Sequence, residues 1–172
     1  MNLFKNAAIL TLLTFIPGLE LRASIPYGFF TEIASSIGVA GVIGICLLAN
    51  IMVGIATFWL MGPVVQFFRK WEWFERKIWP HFEKTRAKLH PYVEKYGEWG
   101  LAVFIGVPLP GTGAYSGAFG AYLLGFDKRR FLIANFFGVL IAAVCVTAVC
   151  VLLQQGVIAD DSLLRRILIK RM

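Results

Sequence analysis

The chain has 172 residues, of which 58% are hydrophobic, 15% aromatic and only 16% charged. That balance is too apolar for a soluble domain, and the length suits one compact membrane domain. The formal charge of +7 resides in bases that flank apolar runs, which fits anionic lipid headgroups better than nucleic acid, and no nucleic-acid motif is found.

Residues 1–36 begin with Lys5 and the apolar stretch Ala7 to Ile16, the outline of a signal peptide. Glu20 and Arg22 occupy the place where small residues would mark cleavage, so processing is not expected. The alternative is a re-entrant hairpin. A short arm (Asn6 to Ile16) meets a break at Pro17-Gly18, and a second arm starts at Tyr27, beyond the polar tract Glu20-Leu21-Arg22 and Pro26. Residues 37–61 are uncharged and long enough for a transmembrane helix. On it Ala40 shares a face with Gly44, and Asn50 with Gly54, as expected where helices approach closely or share a hydrogen bond.

Residues 66–98 change character, with eight Lys/Arg and five Glu. Phe67, Trp71, Phe74, Ile78 and Phe82 recur at spacings of three and four, which predicts an amphipathic helix lying in the headgroup region, divided or kinked by Pro80 and Pro91. His81 and His90 have no neighbouring ligand residues, so no metal site is expected. Cys46, Cys145 and Cys150 lie in apolar stretches and read as packing residues.

The uncharged stretch Trp99 to Phe126 is long enough to span a bilayer, but Pro108 and Pro110, with Gly106, Gly111 and Gly113, interrupt it. The arms Trp99 to Val107 and Ala114 to Leu124 are roughly 14 and 17 Å long, about half of a ~30 Å hydrocarbon core. Residues 99–126 therefore read as a second re-entrant hairpin, the alternative being one spanning helix with a proline kink. Its break aligns with the first when Pro17-Gly18 is laid on Pro110-Gly111. The basic turn 127–130, a second span at 131–153 with Gly138 and Ala142 one turn apart, and a basic tail at 158–172 complete the chain.

The predicted fold is thus an all-α integral membrane protein. It has two re-entrant helical hairpins and two full transmembrane helices, arranged as an inverted repeat, plus an interfacial amphipathic helix. Inverted repeats with broken helices are a layout of secondary transporters. The 66–98 segment and the 127–130 turn share one side and carry eleven Lys/Arg, against Lys5 and four tail bases on the other, which predicts 66–98 in the cytoplasm, a mixed orientation being the alternative that the basic tail leaves.

The motifs running from Glu20-Leu21-Arg22 through Pro26-Tyr27-Gly28, and from Pro108-Leu109-Pro110-Gly111-Thr112-Gly113 to Gly117-Ala118, resemble the paired motifs of the small multidrug export family. That family is similar to the DedA-type membrane proteins. The resemblance covers nearly the whole chain and implies a multi-pass transporter in the plasma (inner) membrane of a prokaryote. For the DedA-type relatives it points to proton-dependent handling of polyprenyl phosphate or other lipid headgroups. An additional N-terminal helix of those relatives is missing here.

The candidate binding residues are Glu20, Arg22, Pro26, Pro108, Pro110, Gly111, Thr112, Gly113 and Tyr115. Arg22 keeps its charge and needs an anion, a carboxylate or an aqueous cavity within a membrane. Glu20 is a candidate proton carrier, and a loop beside Pro17-Gly18 can aim both side chains at one cavity. Helix N-termini at Ala114 and near Tyr27 would offer N–H groups to an anion, with Thr112 and Tyr115 adding hydroxyls. A purely structural Glu20–Arg22 bridge remains the alternative role. The expected partners are membrane lipids, protons and a small amphiphilic or anionic substrate, with no cofactor, and a homo-oligomer stays open. Three functions compete: a proton-coupled transporter, a cationic-drug exporter working through Glu20, and a non-transporting membrane scaffold. No catalytic constellation suggests an enzyme.

Overall fold

The computed structural model describes residues 2–80, 96–109 and 111–155, and they are helical apart from turns and short breaks. Helices α1 (Asn2–Thr14) and α2 (Glu20–Phe30) form a tight pair joined by five residues, and α3 (Glu32–Arg69) follows. A π-helical turn, Phe74–Ile78, lies beyond α3. The stretch 96–106 is helix α4. A break then leads to α5 (Ala114–Leu124) and α6 (Lys128–Gln154).

Helices α3 and α6 are long and apolar enough to cross a membrane, and only 33% of the most apolar window of each is buried. The remaining face carries Leu48, Met52 and Val144, about 60% exposed each, beside other outward apolar side chains. A soluble protein does not leave two such faces open to water; lipid is the solvent that suits them.

α2 packs against α1, α3 and α6, and α5 packs against α3 and α6. The core between them is made of Leu10, Leu21, Ile25, Val42, Ala118 and Val139, all fully buried. Phe58 of α3 stacks on Phe131 of α6 with ring centroids 4.2 Å apart. That contact puts the C-terminal part of α3 and the N-terminal end of α6 at the same end of the bundle.

Three expectations change. The span read as 37–61 is one stretch of a longer helix. Gly38 takes a non-helical φ of 75°, and the helix beyond it continues through Gly62 and Pro63 to Arg69. Proline removes one ladder hydrogen bond, which a long apolar helix absorbs. The amphipathic segment 66–98, expected to kink or divide at Pro80 and Pro91, breaks earlier: its first residues belong to α3 and the chain turns at Lys70–Trp71. Arg69 spans that turn with a two-pronged pair to Glu75 (2.8 and 3.0 Å) and lies 4.5 Å from the Trp79 ring. The hydrogen bond from Arg69 holds the Glu75 carboxyl below its ordinary value. Phe82, His81, His90 and Pro91 lie outside the described residues, as does the tail 158–172.

The third change concerns the small residues. Ala40 is exposed and a side chain at Gly44 would meet nothing within 4 Å, so that face looks outward. The close approaches are at Gly54 and Gly138, the other small residues that the sequence singles out. A β-carbon on Gly54 would fall 2.2 Å from Asn135 Oδ1, and one on Gly138 would fall 2.8 Å from the backbone oxygen of Ala102. Asn135 uses the same approach to donate to the Ile51 carbonyl at 3.1 Å. Gly138→Ala must push α4 off α6 and is expected to lower the thermal midpoint in detergent strongly, whereas Gly44→Ala should leave it unchanged or slightly raised. Equal shifts in a thermal melt would contradict this packing.

Candidate functional site

The break between α4 and α5 leaves a helix C-terminus with orphan carbonyls and a helix N-terminus with orphan N–H groups. Two charged residues from α2 meet them. Glu20 is 2% exposed. Its carboxylate accepts from the N–H of Ala114 at 3.0 Å and of Tyr115 at 3.2 Å, the first two residues of α5. The side-chain amide of Asn50, from α3, donates to the same carboxylate at 3.4 Å. A negative charge at a helix N-terminus is favoured by the helix dipole as well as by the hydrogen bonds.

Arg22 answers at the other side of the break. Its guanidinium donates to the carbonyls of Ile105 (3.2 Å), Val107 (3.0 Å) and Thr112, and to the Thr112 hydroxyl at 2.9 Å. The planar fork reaches several carbonyls at once, which an ammonium group does not do. Thr112 then donates to the Val107 carbonyl at 2.7 Å, closing the turn on itself. Tyr115 ties the same region to the first hairpin, its hydroxyl donating to the Phe15 carbonyl at 2.6 Å.

Gly113 makes the approach of Glu20 possible. Its φ of 135° and ψ of −172° belong to a region open almost only to glycine, and a β-carbon there would stand 2.6 Å from the Glu20 carboxylate. Glu20 itself has a positive φ of 49°, the only described residue other than glycine that does. Such strain is held in place by the contacts around it. The two breaks share a backbone feature, with Gly18 at φ 86° and Gly111 at φ 87°.

Glu20, Arg22, Thr112, Gly113 and Tyr115 therefore come together as the sequence suggested, by contacts the sequence did not specify. The polar tract and Pro26 are not a linker before a second arm: they lie inside α2, which starts at Glu20 and not near Tyr27. No ion pair joins Glu20 and Arg22 among the described residues. Pro26 sits a turn beyond Arg22 and takes no part in the contacts of Glu20 or Arg22. Pro108 and Gly111 lie exposed in the break, and Pro110 is outside the described residues. The sequence reading missed the link of Asn50 to Glu20, although it singled out Asn50 as an interhelical hydrogen-bond residue. Two side-chain atoms here are buried without a partner, Arg22 Nε and Asn50 Oδ1. Among the described residues no group of three or more His, Cys, Asp or Glu is placed to hold a metal ion.

An all-helical bundle with two membrane-length apolar helices and a helix break clasped by a buried acid and a half-buried base is a membrane protein. The family model described as "Putative small multi-drug export protein" matches residues 20–145, well over half of the chain, and the protein belongs to that family. The family is named for export, not for catalysis. No curated protein and no solved structure matches the chain.

Proposed function

We propose that the protein is a proton-coupled transporter of a small amphiphile with an anionic head, and that the Glu20 clasp on α5 is its moving part. The observation that carries this reading is the 3.0 Å bond between the Glu20 carboxylate and the Ala114 N–H, made by a nearly inaccessible acid. Protonation of Glu20 removes the charge that holds the helix N-terminus. The freed N–H groups of Ala114 and Tyr115, beside Arg22, then suit an incoming anion. Proton and anion would thus enter together, and loss of both restores the clasp.

In this reading α1–α2 and α4–α5 are re-entrant hairpins of an inverted repeat, related to the DedA-type layout, in a prokaryotic plasma membrane with residues 66–98 on the cytoplasmic side. The short helices support it: α2 and α5 have 11 residues each, too few for a ~30 Å core. That α2 and α5 each pack on both α3 and α6 supports it as well. A lipid headgroup such as a polyprenyl phosphate fits the same chemistry. A cationic drug fits it less well, because Glu20 is already enclosed by N–H donors.

The test is flux in proteoliposomes of a fluorescent short-chain phosphatidic acid and of ethidium, with and without a pH gradient. The anionic probe should move, faster with the gradient, and Glu20→Gln should remove the pH dependence while the protein stays folded. Movement of ethidium alone, or an unchanged pH profile in the folded variant, would defeat the reading.

A further inference from the structure

A cleft of about 420 Å³ opens at the end of the bundle where α3 meets the α5–α6 turn, away from the clasp. Its walls are Phe58, Trp59, Tyr122 and Phe126, and Lys128 stands at its rim. The space exists because positions 62 and 125 carry no side chain. A β-carbon on Gly62 would meet nothing within 4 Å, and Gly125 caps α5 with a φ of 75°. The volume lies within the roughly 300–1,000 Å³ of small-molecule pockets. None of the lining residues is a partner of Glu20 or Arg22.

The charges around the mouth select the occupant. The Lys128 ammonium lies 5.6 Å from the Trp59 ring, and Lys128, Arg129 and Arg130 are all exposed. Among the described residues that line the cleft the acid is Asp127, which is engaged in capping α6, accepting from the Arg129 N–H at 3.2 Å. Three bases therefore face outward against one acid already bonded to a helix N-terminus. The turn also ends an apolar membrane-length helix, so the mouth stands where lipid headgroups lie, with the aromatic walls at acyl-chain level.

We infer that this cleft binds an anionic phospholipid, with its phosphate on the Lys128–Arg130 turn and the start of an acyl chain between Trp59, Tyr122 and Phe126. The site holds a lipid that stays with the protein, and it stands whether or not the clasp transports.

The experiment is native mass spectrometry of the purified full chain, delipidated and then given phosphatidylglycerol or phosphatidylcholine with identical acyl chains. Phosphatidylglycerol should be retained at least about five-fold better, the effect expected of one base near an anionic headgroup. Lys128→Ala should erase most of that preference. Gly62→Leu, whose β-carbon meets nothing within 4 Å and whose side chain is added at the cleft wall, should lower retention of both lipids. Inorganic phosphate at the same concentration should not compete. Equal retention of the two lipids, or unchanged retention in Gly62→Leu, overturns the proposal. So does displacement by phosphate alone, or preferential retention of tetraphenylphosphonium, which would mark a site for lipophilic cations.

Discussion

Gly113→Ala is expected to destabilise the protein by about 3–5 kcal/mol, while Gly111→Ala, two residues away, should cost only about 1. Both glycines have positive φ, and that of Gly113 lies in the region open almost only to glycine, so backbone strain already weighs more at 113. Their surroundings widen the difference. A β-carbon at position 111 meets nothing within 4 Å, whereas one at 113 stands 2.6 to 2.8 Å from all three atoms of the Glu20 carboxylate. To make room the carboxylate must leave the Ala114 and Tyr115 N–H groups, so a buried charge and two helix-end donors lose their partners together. Thermal or denaturant unfolding in detergent measures the difference. The cause is checked by a double-mutant cycle, since in a Glu20→Gln background Gly113→Ala should cost distinctly less than in the parent. Strict additivity would mean that the Glu20 contact is not what the glycine protects.

How much of this arrangement was legible beforehand depends on whether the signal is local. The two long spans were legible because nothing but lipid explains such uncharged runs, and the α4–α5 break was legible because Pro108, Gly111 and Gly113 cannot propagate a helix cheaply. α2 was misread for the same local reason: Pro26 looked like a boundary. Yet besides Glu20 the buried residues of that helix are Leu21, Ser24, Ile25 and Gly28, at the three- and four-residue spacing of one face, and their packing outweighs the bond that proline removes. The first span was bounded at 61, while the helix runs on through Gly62 and Pro63 to Arg69. For the site, residue type pointed to Glu20, Arg22, Thr112, Gly113 and Tyr115. Their roles were not legible, because the partners are backbone groups more than 80 residues away, and backbone groups leave no mark in a sequence. Glu20, with its φ of 49°, stands off the regular helix path, and its carboxylate and the Arg22 guanidinium part to the two sides of one break, the N-terminus of α5 and the carbonyls after α4.

That parting gives the clasp two independently testable halves. Arg22→Lys keeps the positive charge at the end of α4 but loses the fork that holds Ile105, Val107 and Thr112 together. At least two carbonyls then lose their donor, at roughly 1–3 kcal/mol each where water does not replace it. Hydrogen exchange read by mass spectrometry on protein in lipid nanodiscs should show faster exchange at the amides of Val107, Leu109 and Thr112. Protection at Ala114 and Tyr115, which depends on Glu20, should persist. Glu20→Gln should give the reverse pattern, since an amide offers one neutral acceptor where the carboxylate offered two charged ones. Protection lost at both ends in both variants would show that the break opens as one unit, and that the acid and the base do not hold separate helix ends. If Arg22→Lys exchanges like the parent throughout, the guanidinium contacts are dispensable and the turn is held by Thr112 alone, through its hydroxyl on the Val107 carbonyl at 2.7 Å.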